Sequence, residues 1–110
     1  MDAFHLADLL AAAADDDGLY YEFLRHDAMS LGVYRLPAGG DDPQEPHDED
    51  EVYVVLDGRA TLEVADEATP VASGSVVYVE RGVDHRFVDI EEDLVTLVVF
   101  APAESQGDQG

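Results

Sequence analysis

Glu45-Pro46-His47-Asp48-Glu49-Asp50-Glu51-Val52-Tyr53-Val54-Val55-Leu56-Asp57-Gly58 begins as an acidic stretch and ends as an aliphatic one, and its character changes at Glu51. His47 and Glu51 are four residues apart, a spacing that on a helix would place both on one face. Pro46 beside His47 and the β-branched run after Glu51 favour a strand opening at Glu51, with His47 in the loop or strand end before it. Period two then sends Glu51, Tyr53 and Val55 to one face. A carboxylate turned inward at the head of such a strand is expensive without a cation. Glu51 is therefore a candidate metal ligand, set against the plainer reading of an outward glutamate in a very acidic chain.

A second stretch runs from Gly74 to Gly82 and on to His85. Gly82 closes a turn, and His85 opens a strand on which Phe87 points the same way. About two strands and a turn separate the two stretches, a distance that a small β-barrel brings back together. His47, His85 and Glu51 then form a set of two histidines and one carboxylate. Such a set leaves coordination positions open and suits Fe(II), Mn(II), Ni(II) or Zn(II) better than Ca(II). Open positions are what metal catalysis needs.

These two stretches resemble the motifs of a small single-domain cupin. The first family motif, G-x5-H-x-H-x3,4-E-x6-G, is matched at Gly39, His47, Glu51 and Gly58, with Glu45 where the first histidine stands. The second, G-x5-P-x-G-x2-H-x3-N, is matched at Gly74, Gly82 and His85, with Glu80 in place of proline and Asp89 in place of asparagine. The resemblance implies an all-β, cupin-type double-stranded β-helix, or jelly-roll, barrel. It also implies a divalent transition metal held by His47, Glu51 and His85. The fourth place falls to Glu45, to Gln44 if the loop shifts by one, or to water. A ligand at Glu45 would harden the site and favour Mn(II) or Fe(II) over Zn(II). Tyr53, two residues beyond Glu51 on the same face, is the candidate catalytic group, as hydrogen-bond donor or general base, and otherwise a pocket wall. Asp48, Glu49 and Asp50 read as a solvated acidic loop, and Tyr34, Tyr78, Phe87 and Phe100 as core or pocket lining.

Around the motifs the chain reads as β: runs at 19–24, 29–36, 51–56, 59–64, 75–79, 85–89 and 94–100, separated by Gly, Pro or acidic turns. Residues 1–18 predict a helix capped by Asp2 that packs on the outside of the sheet, 19–102 the barrel, and 103–110 a flexible tail. In 59–64 the alternation puts Ala60, Leu62 and Val64 inward and Arg59, Thr61 and Glu63 outward. The runs at 51–56 and 94–100 are apolar on both faces, Glu51 and Thr96 apart, so something must cover their outer side. The helix covers part, and a second copy of the chain, in a homodimer, is the natural cover for the rest.

The charge sets further bounds. Twenty-six Asp and Glu face five basic residues, all arginine, for a net charge of −21. That excess opposes nucleic acid and anionic membranes as partners. With 46% apolar residues the chain is not of the disordered type, so the acid decorates a folded surface. The composition resembles that of a halophile that keeps salt in the cell, archaeal by expectation, because near 1 M salt the Debye length is about 3 Å and the self-repulsion is screened. No apolar run of membrane-spanning length and no basic leader are present, which points to the cytoplasm. Without cysteine, any metal must take N and O ligands. The function expected is a metal-dependent enzyme of dioxygenase, isomerase or lyase type acting on a small organic molecule in the barrel. The alternative is a non-catalytic binding or sensor module, with or without metal.

Overall fold

The computed structural model describes residues 1–43, 46 and 48–104. One helix, α1 (Leu6–Asp15), precedes six strands: β1 (Tyr20–His26), β2 (Met29–Leu36), β3 (Asp50–Val64), β4 (Glu67–Ala72), β5 (Val76–Val79) and β6 (His85–Ala101). All pair antiparallel, in the order β1-β2-β6-β3-β4, with β5 on the free side of β3.

Two long strands build the barrel, where the sequence predicts four short ones. The runs at 51–56 and 59–64 are the halves of β3, and those at 85–89 and 94–100 the halves of β6. β3 and β6 pair along their length, with register irregularities between Val55 and Thr61. The bend rests on Gly58, whose φ of +94° suits glycine and whose missing Cβ would lie 2.2 Å from the Asp93 carbonyl oxygen. Because no proline interrupts the hydrogen-bonded ladder there, and Asp57 and Arg59 both pair across to β6, the strand turns a corner instead of ending. On the far side of β3, β5 pairs with residues 51–54 and β4 with residues 59–64. Sequence patterning missed β4: it is an exposed edge strand holding Pro70, reached by a tight turn through Ala65 at φ +54° with no Asn-Gly or Asp-Gly pair.

The inner faces meet in one core containing Leu36, Val55, Leu62, Phe87, Leu94 and Val98. In β3 the burial alternates as expected, with Ala60 and Leu62 inside and Arg59 and Glu63 outside. Among the described residues, the first half of β6 has no strand neighbour on its open edge. The segment after β2 fills that role: Gly39 N–H donates to the Ile90 carbonyl at 2.8 Å, and Phe87 N–H donates to Asp42 Oδ2 at 2.9 Å.

At the N-terminus the cap residue is His5, with no side-chain capping bond. Asp2, expected there, is instead engaged with His26 Nε2 at 2.7 Å. α1 packs on β1 and β2 and buries only Ala13 fully. Tyr78 also departs from expectation. It lies on the outer face, 61% exposed, beside Val76 at 67%, because a four-residue strand paired only to β3 leaves its outer side uncovered. Ala103 and Glu104, assigned to the tail, are tied down: the Glu104 N–H donates to Ser30 Oγ at 2.9 Å, and its carbonyl accepts from Arg25 Nη2 at 2.7 Å. Residues 105–110 lie outside the described residues. No helix among the described residues is long and apolar enough to cross a membrane.

Candidate metal centre

Glu51 is the second residue of β3 and faces inward with Tyr53 and Val55, all three buried. Its register partners are Phe100 on β6 and Val79 on β5, so the carboxylate stands among apolar side chains. His85 opens β6, delivered by the turn that passes through Gly82 at φ +77°. The two side chains converge, each 2% exposed, with Glu51 Oε1 3.0 Å from His85 Nε2. The contact is an ion-pair distance without the alignment of a good hydrogen bond at Oε1.

On the opposite edge of the ring, His85 Nδ1 lies 2.8 Å from the Val83 carbonyl oxygen. A carbonyl can only accept, so Nδ1 carries the hydrogen, and Nε2 is the nitrogen turned toward Glu51. Burial pushes the imidazole pKa down. The Glu51 carboxylate, the Val83 carbonyl and the more distant Asp42 outweigh it, and the net shift is upward. The Tyr53 ring forms a wall of the same space, its centroid 6.1 Å from that of His85 and 4.8 Å from that of Phe87.

The structure thus brings together Glu51 and His85 and sets Tyr53 beside them. His47 and Glu45, with the alternative Gln44, lie outside the described residues. Among the described residues no group of three His, Cys, Asp or Glu gathers in metal-binding geometry.

Asp42 belongs to the site's surroundings and was not foreseen. It is buried, accepting from the Tyr34 hydroxyl at Oδ1 and from the Phe87 N–H at Oδ2. Burial, then this carboxylate, pushes the Tyr34 phenol pKa up. No sequence signal marks it, because a loop residue that folds back onto an open strand edge has no periodicity. Glu49 and Asp50 likewise depart from the solvated loop expected of them. Glu49 is buried, and Asp50 opens β3 with Arg81 Nη2 3.1 Å from its Oδ2, which holds the Asp50 carboxyl below the usual range.

Comparison with known proteins agrees with this architecture. The family model for the cupin domain matches residues 32–100. An uncharacterized protein of Streptomyces coelicolor is 55% identical over 105 residues, 96% of this chain and 100% of that protein. Being bacterial, it lends the archaeal expectation no support. Among solved structures, an RmlC-like cupin family protein with a double-stranded β-helix fold from Methanocaldococcus jannaschii superposes with a TM-score of 0.70, at 22% identity over 80% of this chain and 84% of that one. A Thermus thermophilus protein superposes at 0.75, with 23% identity over 94% and 99% of the two chains. These two likenesses concern the fold alone. The antiparallel β architecture built on two long bent strands and the match over residues 32–100 agree, and the chain belongs to the cupin family.

Proposed function

We propose that this chain holds a divalent transition metal with His47, Glu51 and His85, with Glu45 in the fourth place, and that the ion serves a small organic molecule bound inside the barrel. One observation carries the reading. With its hydrogen on Nδ1, a neutral His85 aims a lone pair at a carboxylate oxygen 3.0 Å away, out of reach of water. Two acceptors so placed need a positive species between them, either a proton or a cation. Two ligands each about 2.1 Å from one cation, at a right angle, lie about 3.0 Å apart, so the spacing fits a metal. The N and O donors suit Fe(II), Mn(II), Ni(II) or Zn(II), and Glu45 would favour the harder Mn(II) or Fe(II).

When bound, such an ion supplies Lewis acidity or redox chemistry toward the small molecule. The chain's own residues do the rest. Val83 fixes the His85 ring through Nδ1, β3 fixes Glu51, and Phe87 and Phe100 shield the space from water. Tyr53, on the face of Glu51, is the proposed group to hold or move a proton at its phenol oxygen. Dioxygenase, isomerase and lyase chemistry all remain compatible, since fold does not choose among them.

A non-catalytic, metal-free binding module is the second reading. The raised pKa of His85 favours it, because one proton on the imidazole also satisfies the pair. Elemental analysis after metal loading and dialysis separates the two. About one ion per chain in the wild type, lost in His47→Ala and His85→Ala, is the expected result; equally little metal in all three would leave the metal-free module. We also propose that the surface charge adapts the chain to salt. Its unfolding temperature is expected to climb from dilute buffer to 1 M KCl, and a flat profile would count against that.

A further inference from the structure

Tyr20, on β1, directs its ring across β2 at Gly32, where a Cβ would come within 2.3 Å of the ring. The ring meets Phe100 and Tyr34 edge-on, at centroid distances of 6.1 and 6.4 Å. Phe100 is in turn the register partner of Glu51, so Tyr20 reaches the space in which Glu51 stands. Its hydroxyl oxygen is closed to solvent, and no described residue accepts its hydrogen. A phenylalanine would fill the same seat without stranding a donor, so the hydroxyl weakens the fold and asks for another purpose. Burial first, then the fields of Glu104, Glu22 and Glu51, pushes its pKa upward, which keeps the oxygen protonated and makes it a donor, not a base.

We propose that Tyr20 is a ligand-contacting residue of the barrel, whose hydroxyl donates a hydrogen bond to an acceptor oxygen on a small uncharged molecule bound beside Glu51. This rests on the reading that the barrel takes a small organic molecule. The charge class follows from the surroundings. Glu51, Glu104 and Asp42 are buried around the aromatic rings, and the basic groups near them are engaged, His85 with Glu51 and Arg25 with Glu22 and the Glu104 carbonyl, so an anionic ligand would find carboxylates and its basic partners taken. A carbonyl, hydroxyl or ether oxygen meets no such penalty.

The test uses the full chain, stripped of metal, with cyclohexanone and its oxygen-free isostere methylenecyclohexane titrated by NMR. The wild type is expected to hold the ketone about tenfold more tightly than the hydrocarbon, and Tyr20→Phe to lose that preference while melting at the same temperature or about 2–5 °C higher. Gly32→Ala, which drives the ring from its seat, should lose the preference by a second route. A preference retained in Tyr20→Phe, or a wild type that binds the hydrocarbon as well as the ketone, overturns the proposal alone. A wild type that binds neither overturns it together with the small-molecule reading. Metal content, measured separately, bears on the metal alone.

Discussion

The two halves of β3 share one inward period but carry different residues on it. In residues 59–64 the strand is ordinary, with Ala60 and Leu62 inside and Arg59 and Glu63 in water. In residues 50–57 one acid is inside and three aliphatic residues are outside: Glu51, 2% exposed, shares the inner face with Tyr53 and Val55, while Val52, Val54 and Leu56 stand half-buried on the outer face. One strand therefore carries both a plain wall and an inverted segment, divided at Gly58. The inversion costs stability twice, by burying a charge and by leaving apolar surface open. The proposed cation on the inner side and a proposed second copy on the outer side would together account for it.

The joint between the halves should be the most sensitive point. Gly58→Ala places a methyl group 2.2 Å from the Asp93 carbonyl oxygen at a left-handed φ, and is expected to destabilise by about 4 kcal/mol in urea unfolding. A change under about 1 kcal/mol would mean that the bend does not depend on glycine.

Two glutamates sharpen the contrast. At pH 6 and without metal, Glu51→Ala strands His85 and is expected to destabilise by about 3 kcal/mol, whereas Glu63→Ala in the ordinary half should stay within about 0.5 kcal/mol. Equal effects would erase the distinction. The sign with pH is fixed by the direction of the His85 shift. A raised folded-state pKa gives stability that is full below about 6.5, the unfolded value, and lost as pH rises through the folded one. Glu51→Ala should flatten that dependence.

The outer face gives the smaller effect. We propose that this face meets a second copy of the chain; Val54→Asp or Tyr78→Asp is then expected to weaken self-association at least thirtyfold, about 2 kcal/mol, in light scattering at high salt, and Thr61→Asp to leave it alone. A wild type that is monomeric throughout would remove the second copy as the cover of this face.

Much of this contrast was legible in the sequence. Period-two alternation identified the inward face of both halves, and the motif spacing from Gly74 through Gly82 singled out His85, which the structure sets beside Glu51. What escaped was long-range or pattern-free. Strand continuity through a glycine looks like a strand end, and an edge strand with Pro70 looks like a loop. Asp42 is buried only because a loop folds back onto the open edge of β6. Glu49 and Glu104 were lost in the general acidity, where one buried carboxylate looks like any exposed one. Tyr20 gives no sign of itself until Gly32 is seen beneath its ring.

Calorimetric titration of Mn(II) into the full chain from pH 5 to 9 tests the inverted half most directly. Below the His85 pKa the ion must displace a proton from the imidazole, so one ion per chain is expected to bind, with affinity rising with pH and about one proton released in that range, and with binding lost in Glu51→Ala and His85→Ala. Binding that is absent at every pH, or unchanged in those two variants, would contradict a shared cation between the imidazole and the carboxylate.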